Sequence, residues 1–196
     1  MTLLRTILVA GALLSTTSVA QIEFKSWPVR QAPAELHSAI SHADLVIVEM
    51  QGAVLHELTD AIARRGPTGG FGFCHLDATT IIQRIGGKGG TVAGRTSDRL
   101  RNPANAPRAW AAPFVAAHAG QRAAKVDGFV VDLGDRIGVL RPIAEQAMCA
   151  SCHGEQEQLA PGVDLVRRQR YPADRAVGFR DGEIRGWFWV ETAKRP

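Results

Sequence analysis

The chain has 196 residues, 45% of them hydrophobic and 21% charged, with a formal net charge of +4. That supplies one domain with one core and argues against a disordered chain. The basic residues are spread out, with Arg167-Arg168 and Arg170 the densest group and no interleaved aromatics, so nucleic acid is not the expected partner.

Met1 to Arg5 is a short basic start, Thr6 to Leu14 is mostly apolar, and Ser18-Val19-Ala20 is a small-residue cleavage site. Residues 1–20 therefore read as a secretory signal whose apolar run is too short to span a bilayer. The expected mature protein is one periplasmic domain over 21–196, with no stable membrane insertion.

Ile22 to Pro33 is an extended, Pro-containing stretch. Leu36, Ile40, Ala43, Ile47, Met50, Val54, Leu58 and Ile62 then recur at intervals of three and four, which predicts a long helix from Ala34 to Arg65. Gly66-Pro67 and Gly69-Gly70 are expected to stop it. A second helical stripe carries Cys74, Ala78, Ile81 and Ile85 and ends in the Gly86 to Gly90 break, which turns Cys74 inward.

The second half changes period. Thr91 to Thr96 reads as a short strand and Ala106 to Ala117 as a helix carrying Trp110 and Phe114. Phe129 to Leu133 and Ile137 to Leu140 flank Gly134-Asp135 as a hairpin. Val163 to Arg170 reads as a short helix. Ile184 to Glu191 reads as a closing strand, with Trp187 and Trp189 on one face and Phe188 and Val190 on the other. The expected class is α+β with antiparallel strands.

Between the hairpin and that last helix stands Cys149-Ala150-Ser151-Cys152-His153. The C-x-x-C-H spacing lets two thiols reach the vinyl groups of one haem as thioethers, while the next imidazole meets the iron. A zinc site needs a second close ligand pair, and a redox dithiol needs a thioredoxin-like context with no call for the histidine. Neither accompanies this string. Attachment uses two of the three cysteines and leaves Cys74 over.

Further residues carry a resemblance. Gly94-Arg95-Thr96-Ser97-Asp98-Arg99-Leu100-Arg101-Asn102-Pro103-Ala104-Asn105-Ala106-Pro107, followed by Trp110, is similar to the G-R-T-S…R-N-P-x-N-A-P-x-x-W signature of a c-type haem domain of otherwise unknown function. Tyr171-Pro172-Ala173-Asp174-Arg175-Ala176-Val177-Gly178-Phe179, Gly182 and Arg185-Gly186 match it too, and the resemblance covers nearly the whole mature chain. That family includes small secreted proteins, a cyanobacterial lumenal haem protein and sensor regions of bacterial receptors. Departures are the Gly-rich Thr68 to Phe73 and Arg108, where an acidic residue is common.

The resemblance implies a PAS-like fold, an antiparallel sheet flanked by helices, holding one covalent haem c. It also implies His153 and Cys74 as the two axial iron ligands. Other distal ligands stay open on the residues alone. His75 points about 100° from Cys74 in a helix, His56 lies off the main stripe, and Met50 within the stripe suits core packing. His37, His42 and His118 suit surface or helix-edge positions, and Met148 adjoins the attachment motif.

A Cys/His ligand pair predicts a low-potential haem whose iron–sulfur bond weakens on reduction, opening a position to nitric oxide or carbon monoxide. The leading expectation is a redox or gas-sensing module acting on a separate redox or signalling partner. The alternatives are a small electron-transfer cytochrome and, behind it, a haem enzyme acting on sulfur compounds. No acid–base constellation supports catalysis, so no catalytic residue is assigned. Arg95, Arg99 and Arg101 are candidates for the haem propionates. Thr96, Ser97 and Asn102 equally suit a structural corner. Asp174 and Arg175 suit a helix cap and a surface pair. Trp187 and Trp189 either cover the haem or close the core.

Overall fold

The structure is a computed structural model describing residues 24–195, so the expected signal segment 1–20 lies outside the described residues. β1 (Ser26–Pro28) leads through short turns into α1 (His37–Leu76) and α2 (Ala78–Gly86). Then follow β2 (Val92–Thr96), α3 (Ala112–Ala117), β3 (Phe129–Asp132) and β4 (Arg136–Ala144). α4 (Ala150–His153), α5 (Val163–Arg170) and β5 (Ile184–Ala193) complete the chain. The strands form one five-stranded sheet in the order β1-β3-β4-β5-β2, every pair antiparallel, so the fold is α+β as expected.

Alternation along the strands divides the core in two. Val130, Val139, Phe188 and Val190 point to the face covered by α1 and α2, where they meet Ile40, Ile47 and Met50. Val131, Leu140 and Trp187 point the other way, against Trp110 and Val115. Trp187 and Trp189 thus close this second core, on the opposite sheet face from Phe188. His118 packs there as well, with its ring centroid 4.9 Å from that of Phe129.

Two expectations are corrected. The long helix breaks after Arg65 as expected, because Gly66 takes φ 68° and ψ −175°, a conformation essentially restricted to glycine. Gly69-Gly70 do not add to the stop: helix resumes at once, kinked, and runs through them to Leu76. Pro67 helps it restart, because a first-turn residue has no helical N–H bond to lose. Only Ala112–Ala117 of the segment from Ala106 is helical. Asn102 Oδ1 instead accepts from Ala104 N–H at 3.0 Å, and Ala106 stays extended (φ −53°, ψ 144°) ahead of Pro107. The extended stretch before Pro33 holds a strand, β1, whose Pro28 is tolerated at the sheet edge, in keeping with the sequence.

No described helix is long and apolar enough to cross a membrane.

Candidate haem site

α1 descends across one face of the sheet and, beyond its kink, turns Cys74 toward the C-x-x-C-H turn. Between them lies a cavity of about 380 Å³, within the roughly 300–1,000 Å³ usual for small-molecule sites. Val54, Leu58, Ile62 and Phe71 of α1 form one wall and Ile143 and Phe188 of the sheet another, with Cys74, Cys149, Cys152 and His153 among the lining side chains. Residues nearly eighty positions apart meet because α1 runs back over the end of β4.

The C-x-x-C-H turn is held by backbone. Ala147–Cys149 is a tight turn leading into the single helical turn Ala150–His153, which Gly154 ends in an extended conformation. Phe179 N–H donates to His153 O at 3.1 Å and Gly178 N–H to Gly154 O at 2.8 Å. His153 Nδ1 lies 2.8 Å from the Ala176 carbonyl, an acceptor, so Nδ1 carries the proton and Nε2 is left with its lone pair. Anchoring of this kind is what a metal-ligating imidazole requires. Burial, and then the nearby charges of Arg101 and Arg185, push its pKa well below the usual histidine range and keep the ring neutral.

The remaining motif residues brace this turn. Arg101 Nη2 donates to Cys152 O at 2.7 Å and Ala176 O at 3.2 Å, while its Nε donates to Asp174 at 2.9 Å. Arg99 donates to the carbonyls of Val177 and Gly178, both at 3.1 Å, and pairs with Glu183. Ser97 Oγ donates to Arg185 O at 2.8 Å. Asp174 is therefore no surface group: its side chain is 0% exposed and also accepts the Ala176 N–H. Ser97 and Asn102 satisfy backbone groups as a structural corner would, whereas the buried Thr96 Oγ1 finds no hydrogen-bond partner among the described residues. Arg175 does lie exposed, donating to Asp98 O.

Among the described residues, four arginines and no carboxylate line the cavity: Arg95, Arg99, Arg101 and Arg185. Three of them are engaged by protein groups, Arg185 through Glu145 at 3.1 Å. Arg95 has no hydrogen bond or ion pair among the described residues. Burial, reinforced by Arg185 and opposed by Cys74, lowers its pKa, as for a guanidinium lacking a counter-charge. An apolar cleft with two thiols, a neutral imidazole, a third thiol opposite and an unpartnered guanidinium fits an anionic iron porphyrin. No group of three or more His, Cys, Asp or Glu that could hold a metal ion occurs among the described residues.

The other distal candidates sit elsewhere. Met50 is fully buried between α1 and the sheet, His37 and His56 are exposed, and neither they nor His42 line the cavity. The His75 side chain lies outside the described residues. Met148 is at the cavity rim, 41% exposed. Sequence reasoning did not reach the Ala176 carbonyl, Glu145 or the cavity role of Arg185. A carbonyl leaves no trace in residue identity, Glu145 lies eight residues before the motif histidine, and a match at Arg185-Gly186 does not say where the guanidinium points.

Two comparisons bear on this geometry. The crystal structure of the cyanobacterial heme-protein Tll0287 superposes with a TM-score of 0.56 at 21% identity, covering 83% of this chain and 96% of that one, which establishes a shared fold. No curated protein matches. The Tll0287-like family (Tll0287) matches residues 16–193, so nearly the whole chain falls within it. The chain belongs to the Tll0287-like family.

Proposed function

We propose that this is a periplasmic protein carrying one covalent haem c, which acts as a redox or diatomic-gas sensing module and not as an enzyme. The observation that carries the reading is the convergence of Cys149, Cys152, His153 and Cys74 on one cavity, with His153 Nδ1 committed to Ala176. The similarity to a protein described as a cyanobacterial heme-protein supports it.

When bound, the haem would supply a one-electron redox centre able to exchange a ligand. Cys149 and Cys152 would hold it through thioethers, and His153 would present Nε2. Cys74 would present its thiolate from α1, and Arg95 would meet a propionate carboxylate. Cys74 rides on the part of α1 beyond the Gly66 kink, so its release on reduction would let that part shift against the sheet. Nitric oxide or carbon monoxide would occupy the freed position, and a separate redox or signalling protein would receive the shift. The electron-transfer alternative draws on the exposure of Gln146, Ala147 and Met148 beside the attachment thiols, which is the surface a carrier would use.

Electronic and paramagnetic-resonance spectra of the protein and of Cys74→Ala, each oxidised and reduced, test the proposal. A thiolate signature lost in the variant and carbon monoxide uptake by the reduced wild type are expected. A six-coordinate iron unchanged by reduction and indifferent to carbon monoxide would favour the electron carrier.

A further inference from the structure

Glu145 follows β4 directly, one residue inside the exposed Gln146 to Met148 stretch, yet its side chain is only 1% exposed and neither carboxylate oxygen has a hydrogen-bond partner among the described residues. Its counter-charge is Arg185, whose Nε stands 3.1 Å from Oε2 and likewise makes no hydrogen bond there. The backbone fixes the residue: Glu145 N–H donates to Glu183 O and Gly182 N–H to Glu145 O, both at 2.8 Å.

We propose that Glu145 is a proton-binding site coupled to the charge of the iron: its carboxylate takes up one proton from solvent for each electron that an external one-electron donor delivers to the haem. The proposal rests on the haem reading. The O–H bond of the carboxylic acid is the bond that forms, no protein bond breaks, and the proton's charge offsets that of the electron. Arg185 is the link, because it both faces Glu145 and lines the cavity, where its field also acts on His153.

The charged groups around Glu145 are Arg185 of β5, Glu183 just before β5, and Arg101 and Arg99 after β2. Burial raises the Glu145 pKa, Arg185 opposes, Glu183 adds to the rise, and Arg101 and Arg99 oppose, leaving it at about 7. A buried carboxylate with no hydrogen bonds and a single ion-pair partner is poised to change state at neutral pH. Added negative charge in the cavity tightens its hold on the proton.

Protein matured with haem is titrated between about pH 5.5 and 8.5, as wild type, as Glu145→Gln and as the surface control Asp164→Asn. Intact mass first reports haem attachment. The midpoint potential of wild type and control is expected to fall as pH rises through neutrality, by up to about 59 mV per tenfold drop in proton activity, and Glu145→Gln is expected to lose that slope. The reduced-minus-oxidised infrared spectrum should contain a carboxylic-acid carbonyl band that the variant lacks. A pH-independent wild-type potential, or a slope and band kept in Glu145→Gln, overturns the proposal while the haem reading stands. A chain without haem removes both. Should Glu145→Gln fail to accumulate, absence of either the wild-type slope or the wild-type band is decisive against the proposal.

Discussion

Arg101 Nη2 donates to the carbonyl oxygen of Cys152 across 2.7 Å, so the G-R-T-S…N-P stretch grips the backbone of the C-x-x-C-H turn, 51 residues later in the chain. The same guanidinium bonds Asp174 and Ala176 and stacks over the Phe71 ring at 4.8 Å, so four segments meet at one side chain.

Arg101→Gln is expected to cost about 1–3 kcal/mol, the usual penalty for taking a hydrogen-bond partner from a buried polar group. The reason is Asp174, whose side chain is 0% exposed and whose closest cation is Arg101; Arg167 stands farther off at 3.7 Å. Urea unfolding checks it, and adding Asp174→Asn should recover much of the loss.

Gly66→Ala is expected to destabilise by about 1–3 kcal/mol. A Cβ there would meet nothing within 4 Å, so the cost is conformational, arising from φ 68°. Thermal unfolding measures it. The Cys74 end of α1 hangs from this kink, so the variant should also alter any thiolate signature in the oxidised spectrum.

Gly138→Ala is expected to lose about 1–3 kcal/mol through overpacking. A Cβ at Gly138 would stand 2.8 Å from the Trp110 ring, which is pinned by its Nε1–H bond to Glu191 at 2.8 Å. Arg108 holds the same carboxylate at 2.9 and 3.1 Å. Burial alone would raise the Glu191 pKa, but the bonds from Arg108 and Trp110 outweigh it and hold the group below its usual range. Denaturant unfolding of Gly138→Ala, with spectra at the site unchanged, would confirm that this core lies apart from the cavity.

Stability is expected to fall as pH rises from 4.5 to about 7, because the folded protein holds the Glu145 proton more tightly than the unfolded chain. The stabilisation is complete below 4.5 and lost above about 7, and at about 1.4 kcal/mol per pH unit it amounts to on the order of 3 kcal/mol. Chemical denaturation across that window should show the slope in wild type and a flatter profile in Glu145→Gln.

The amino-acid order alone marked Cys149, Cys152 and His153 as one close-set group and determined the antiparallel hairpin, the inward turn of Cys74 and the division of β5 into a tryptophan face and a Phe188 face. These follow from spacing and from periods of two and of three to four, properties that a chain carries locally. It also marked Gly66-Pro67 as a break, though whether a break ends a helix or bends it depends on what the next turn can pack against. Only the tertiary structure decided that Arg99 and Arg101 brace the turn while Arg95 makes no hydrogen bond or ion pair among the described residues, that Asp174 is buried, and that Glu145 and Arg185 form a pair beside the cavity. Those facts are distances between segments far apart in the chain, and a charged side chain looks the same in sequence whether it ends in water, on a carbonyl or against an opposite charge.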